Sequence, residues 1–184
     1  MKHAFIGLTG TNSAGKGETA AFFVSRGYAY RSLSDVIRDR LRAEGLEENR
    51  DNLIRTGNAL RREGGPDILA RLAMDGFEPP AVIDSIRNPQ EISYLRTRPG
   101  FFLLALEAPI AFRFERARAR GRNESASTLE EFARKEDEER SSDPAAQQID
   151  ACITLADAVV VNDGTLADLH RKLPAPRRRR RSTS

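Results

Sequence analysis

Tryptophan is absent from this chain of 184 residues, cysteine occurs once and histidine twice. A lone cysteine excludes an internal disulfide. Its setting, Asp150-Ala151-Cys152-Ile153-Thr154-Leu155, reads as a small core position with no neighbouring histidine to activate a thiolate. Aromatic residues make up only 7% of the chain while charged residues make up 31%, which fits a soluble, solvent-rich domain better than a dense interaction module. No apolar run approaches the roughly 18 residues needed to cross a bilayer. Met1-Lys2-His3 leads straight into an apolar segment, so a signal peptide is not expected, and these features point to the cytoplasm. A strong excess of charge of one sign is also missing. The net charge of +3 depends on Arg177–Arg181, without which 25 basic residues face 27 acidic ones. The body of the chain is therefore not a basic nucleic-acid binder. The arginine run after Pro174 and Pro176 reads as a disordered tail over 174–184, with residues 1–173 forming one domain of sufficient size for a sizeable core.

What is present is concentrated at the start. Phe5-Ile6-Gly7-Leu8 is an apolar run that ends in a glycine-flanked loop, Gly10-Thr11-Asn12-Ser13-Ala14-Gly15, followed by Lys16, Gly17, Glu18 and Thr19. G-x-x-x-x-G-K after a strand and before a helix is the pattern of a nucleoside-triphosphate site. Glycines let the backbone wrap closely so that successive N–H groups point at phosphate oxygens. The following helix adds the positive end of its dipole, and Lys16 reaches the β- and γ-phosphates. The usual Ser or Thr after the lysine, a hydroxyl ligand for magnesium, is replaced by Gly17. Gly-Lys-Gly resembles the loop of adenylate kinases and related nucleoside monophosphate kinases. That resemblance implies magnesium held largely through water. Glu18 departs from the Thr common in that group, and whether Thr19 compensates is left open.

Further along, periodicity predicts strands at Tyr28–Arg31, Ala81–Asp84, Phe101–Leu106 and Ala158–Val161, alternating with helices at 16–25, from Ser32 or Ser34 to Leu41, 51–62, 66–75, 89–96, 110–120, 129–140 and 166–173. Continuous apolar strands alternating with helices imply an α/β fold, a doubly wound parallel sheet covered on both faces. A helical acceptor region and an arginine-rich lid complete the expected architecture.

Several later segments carry charge where a phosphate chemistry would use it. Asp84 closes an apolar strand, and a carboxylate there, across from a phosphate loop, is where Mg²⁺ is oriented. Arg87 follows it. Arg113, Arg116, Arg120 and Arg122 cluster before and at a polar loop; a plain surface arrangement would instead pair them with Glu107 and Glu115. Phosphoryl transfer depends on positioning and on neutralising spreading negative charge, which convergent arginines supply.

Ser34-Asp35-Val36-Ile37-Arg38 resembles the Gly-Asp-x-Leu-Arg stretch of monophosphate kinases, whose arginine holds the acceptor phosphate. Val82-Ile83-Asp84-Ser85-Ile86-Arg87 resembles their Asp-Gly-Phe-Pro-Arg stretch, one residue shorter. The segments Gly57–Ala73, Asp84–Arg96, Arg118–Glu139 and Ala156–Leu173 are similar to dephospho-CoA-kinase-like P-loop kinases, and most to a branch that also forms the N-terminal domain of some deoxycytidylate deaminases. Deaminase chemistry itself is excluded, because it needs a zinc-binding His/Cys/Cys set that one cysteine and two distant histidines cannot provide.

The resemblance implies an ATP- and Mg²⁺-dependent phosphotransferase acting on a small nucleotide. Residues Gly10–Thr19 would hold ATP, with Lys16, Asp84, Arg87, Arg116, Arg120 and Arg122 catalytic and Asp84 at the metal. Ser34, Asp35, Arg38, Arg61 and Arg87 would bind the acceptor. A nucleoside monophosphate acceptor needs no general base. A dephospho-CoA acceptor presents a hydroxyl, for which Asp35 is available as base. A non-catalytic nucleotide sensor is the third reading. No specific nucleic acid or membrane partner is expected.

Overall fold

The computed structural model describes residues 3–120, 128–138 and 146–175; the expected tail falls almost wholly outside them. Its strands are β1 (Phe5–Gly10), β2 (Ala29–Ser32), β3 (Ala81–Asp84), β4 (Phe101–Glu107) and β5 (Ala158–Val161). Between and after them run α1 (Lys16–Val24), α2 (Leu33–Ala43), α3 (Arg50–Gly64), α4 (Ile68–Ala73), α5 (Pro89–Leu95), α6 (Ile110–Arg120), α7 (Leu129–Glu138), α8 (Ile149–Thr154) and α9 (Leu166–Lys172). All strand pairs are parallel, in the order β2-β3-β1-β4-β5. This is the expected doubly wound sheet.

Alternation along the strands explains why the sheet needs helices on both faces. Phe5, Ala81, Ile83 and Leu103 enter one core with Leu33, Ile37, Leu69, Met74, Ile92 and Leu95 from α2, α4 and α5. Ile6, Leu8, Val82, Leu104 and Leu106 enter the other with Phe22, Phe23 and Leu169 from α1 and α9. Each such Leu, Ile or Phe contributes about 1.5–3 kcal/mol by leaving water. Truncating one at the centre, Leu104→Ala for instance, would cost about 2–5 kcal/mol because a cavity is left behind.

Local chemistry sets the helix starts. The Ser32 hydroxyl accepts from the Ser34 N–H at 3.2 Å, which resolves the choice between Ser32 and Ser34 as the α2 cap. Asn49 caps α3 through the Asn52 N–H, and Gly64-Gly65 ends it, so this helix begins and ends outside the expected 51–62. Asn88-Pro89-Gln90-Glu91 forms a capping box on α5. Pro66-Asp67 is a turn, and α4 is shorter than expected. Helix α8 was not foreseen. It is six residues long with no side-chain cap, too short for a periodic signal. Register places Ser32 opposite Asp84, Gly10 opposite Leu106, and Glu107 opposite Val161, so these strand ends share one edge of the sheet.

Candidate active site

The loop after β1 is built by glycine where nothing else fits. Gly10 has φ +122°, and a Cβ there would collide with the Leu106 carbonyl oxygen on β4. Gly15 has φ +110° at the N-cap of α1, where a Cβ would strike the side-chain amide of Asn162. That amide donates from Nδ2 to the Ala14 carbonyl at 2.9 Å, while the Asn162 N–H donates to Glu107 O at 2.7 Å. Asn162 thus ties the loop to β4 and β5. Ser13 also adopts a left-handed φ, 57°, and its buried hydroxyl has no hydrogen-bond partner among the described residues. Lys16 Nζ donates to the carbonyls of Gly10 and Thr11, each at 2.8 Å, so the ammonium closes over the mouth of the loop.

Beside the loop opens a cavity of about 930 Å³. Asn12, Ser13, Gly15, Lys16 and Gly17 line one end, and Ser34, Arg38, Asn49 and Arg50 at the starts of α2 and α3 line the other, with Asp84, Arg87 and Tyr30 also on its wall. Gly10, Thr11 and Ala14 shape the loop from behind. Glu18 is exposed off the wall, and Thr19 is fully buried with an unpartnered hydroxyl.

Asp84, at the end of β3, is 8% exposed. Its Oδ1 accepts from the Ser85 N–H at 2.6 Å and its Oδ2 from the Tyr30 hydroxyl at 3.2 Å. Ser85 holds a left-handed φ of 65°, uncommon for a residue other than glycine, and accepts from the Ser32 hydroxyl at 3.1 Å. Burial, and then the nearby Asp84 charge, push the Tyr30 phenol up to about 12, so it stays a protonated donor.

Arg87 donates from Nη1 to Gln147 Oε1 at 2.7 Å, and its carbonyl accepts from the Gln148 N–H at the start of α8. Arg61 borders the cavity, and its buried Nη1 has no hydrogen-bond partner among the described residues. Its side chain is 2% exposed, and Nε and Nη2 both go to Glu91 Oε1, at 3.0 and 2.7 Å. Arg38 is bracketed by Asp35 at 2.9 Å and Glu48 at 2.6 Å. Partial burial opposes its charge, but hydrogen bonds to Glu48 and Asp35 outweigh this and raise its pKa. Asp35 accepts from Arg38, a cavity residue, and is not itself among the residues that line the wall.

The arginine cluster divides. Arg113 is buried, ion-paired with Glu136 on α7 and bonded to the Ala108 carbonyl, so it staples the two helices and does not pair with Glu107. Glu115 instead takes Arg118. Arg116 reaches from α6 to the Asn162 carbonyl at 3.2 Å, next to the phosphate loop. Arg122 and the Arg120 side chain lie outside the described residues. Burial, then the Glu91 charge, raise the Cys152 thiol to about 12, which leaves it inert at neutral pH. Among the described residues no group of three or more His, Cys, Asp or Glu gathers to hold a metal outright. That donor set fits Mg²⁺ carried by phosphates, which needs only one or two carboxylates from the protein. No helix among the described residues is long and apolar enough to cross a membrane.

No family model matches the chain. A UPF0200 protein of Thermococcus gammatolerans is 30% identical over 175 residues, covering 90% of each chain. The chain belongs to the UPF0200 family. That family name states no activity, so the solved structures carry the remaining comparison. TT1252 from Thermus thermophilus is 25% identical with a TM-score of 0.59, covering 93% of this chain and 94% of that one. Shikimate kinase from Acinetobacter baumannii, in complex with shikimate, is 14% identical with a TM-score of 0.57, covering 92% and 90%. This UPF0200 member has the P-loop kinase fold. Sequence reasoning missed Tyr30, Glu91, Gln147 and Asn162, and of these only the Asn-x-x-Glu spacing before α5 offered a local signal.

Proposed function

We propose that this chain transfers the γ-phosphoryl of Mg·ATP to a small phosphorylated nucleotide, a nucleoside or deoxynucleoside monophosphate. The observation that carries this reading is that Lys16, Asp84, Arg87 and Arg38 border one cavity at the edge of the sheet where the strands end.

Roles follow from position. Loop N–H groups and Lys16 hold the β- and γ-phosphates, with Lys16 leaving the Gly10 and Thr11 carbonyls for the ligand. Magnesium, when bound with ATP, neutralises charge on the β- and γ-oxygens. Asp84 orients it from β3. Arg87, fixed by Gln147, stands beside the phosphoryl in transit, and Arg38 with Ser34 receives the acceptor phosphate. Arg116 on α6 adds charge beside the phosphoryl in transit, with Arg120 and Arg122, which follow it in the sequence, assigned the same role. An acceptor phosphate oxygen attacks the γ-phosphorus as the bond to the β,γ-bridging oxygen breaks, and ADP departs.

An acceptor phosphate oxygen is already anionic, so no base is required. A hydroxyl acceptor such as dephospho-CoA would call on Asp35, and its place off the wall, paired with Arg38, weighs against that reading. Incubating the chain with ATP, Mg²⁺ and each nucleoside and deoxynucleoside monophosphate, and with dephospho-CoA, tests the assignment by ADP release. ATP binding with no ADP from any acceptor would leave the nucleotide sensor as the surviving reading.

A further inference from the structure

Tyr30 stands half-exposed on β2, the edge strand of the sheet, and its phenol lines the cavity. Its backbone is in register with Val82, so Asp84 lies two residues further along the neighbouring strand. The ring spans that diagonal and places its hydroxyl on Asp84 Oδ2 at 3.2 Å. A second link joins the same two strand ends. The Ser32 hydroxyl donates to Ser85, whose left-handed backbone turns its own N–H onto Asp84 Oδ1. The edge strand therefore grips the carboxylate and the residue after it together.

We infer that Tyr30 is a positioning residue for the Asp84 carboxylate, fixing its plane towards the phosphate loop so that a hydrated divalent cation meets a preset pair of oxygens. This rests on the phosphotransferase reading above. An aspartate χ2 is intrinsically broad, so an unheld carboxylate would reorient at some cost each time the cation arrives. One donor on each oxygen removes that freedom and leaves lone pairs on both, since a carboxylate offers about four acceptor sites. Groups that orient a metal-facing carboxylate from behind commonly matter about tenfold or more to metal affinity. Exposure of the ring argues against a purely structural purpose, because a phenol half in water adds little to the core.

The test uses the full chain with a non-hydrolysable ATP analogue and Mn²⁺, following free Mn²⁺ by electron paramagnetic resonance. Tyr30→Phe should weaken the Mn²⁺ midpoint about tenfold, while affinity for the analogue without metal stays at the parent value. An unchanged midpoint, or equal weakening with and without metal, would overturn the inference. Asp84→Asn separates the two levels of the argument. If it leaves the midpoint at the parent value, the metal-orienting role of Asp84 fails and Tyr30 falls with it. If Asp84→Asn weakens the midpoint and Tyr30→Phe does not, only the Tyr30 inference fails.

Discussion

Glu91 is fully buried and divides its two oxygens between Arg61 and the backbone that carries Arg87. Oε1 takes Nε and Nη2 of Arg61, and Oε2 takes the N–H groups of Arg87 and Asn88 at 2.9 and 3.1 Å. Helix α3 and the segment after β3 are thereby referenced to one carboxylate. Removing one partner of a buried pair strands a charge, so Glu91→Ala should lower stability by about 3–5 kcal/mol. The exposed-side pair of Arg38 and Glu48 should contribute under about 1 kcal/mol, as surface pairs do. Urea unfolding of Glu91→Ala and Glu48→Ala, side by side, checks the ranking.

Lys16→Ala should abolish phosphoryl transfer while leaving the melting temperature nearly unchanged. Its ammonium is part-buried and donates to the carbonyls of Gly10 and Thr11, bonds that water can replace. In the transition state the lost charge would cost on the order of 3 kcal/mol or more. Turnover of any acceptor at near the parent rate would refute the assignment.

Gly17 lies within α1 with an ordinary φ, and a Cβ there would meet nothing within 4 Å. The fold makes no demand for glycine at this position. Gly17→Ala should therefore raise stability slightly, by less than the roughly 1 kcal/mol that separates the two residues in a helix interior, because Gly17 lies in the first turn. Because Gly17 lines the cavity, a bound phosphate or cation is what the missing side chain leaves room for. The same variant should weaken Mg·ATP binding, measured by calorimetry. A stabilised variant that binds Mg·ATP as the parent does would show that the space serves no ligand.

Arg116→Ala should lower kcat by about 10²-fold with a smaller change in ATP affinity, since a lid arginine acts mainly as charge spreads over the γ-phosphoryl. The same pattern is expected of Arg120→Ala and Arg122→Ala. Parallel turnover and binding measurements on the three variants decide it. Unaltered turnover in all of them would take α6 out of the mechanism.

How much of this was legible in the sequence depends on the range of the contacts. Gly10, Gly15, Lys16 and the strand ending at Asp84 are local patterns, and the alternation of apolar runs was enough to give the parallel sheet. The partners of these residues are not local. Asn162 meets Ala14 across 148 positions, Gln147 meets Arg87 across 60, and Tyr30 meets Asp84 across 54. Nothing in the periodicity of either segment encodes such a meeting. Arg61 and Asp35 show the converse. Each has the residue type and setting of an acceptor ligand and each has a counter-ion: Arg61 meets Glu91 across 30 positions, which only folding brings, while Asp35 meets Arg38 within one turn of α2, a pairing the sequence already contains.

The shared direction of the strands has a practical consequence. The loop after β1, the end of β2, the start of α2 and the end of β3 all contribute to the cavity wall, at the rim where the strands end. The turns entering the strands, at Gly27-Tyr28, Pro79-Pro80, Gly100 and Ala156-Asp157, sit at the opposite rim, and none of them borders the cavity. That rim is the place to graft a fluorophore, a surface tether or a fused module, because an attachment there leaves the chemistry on the far side of the sheet undisturbed.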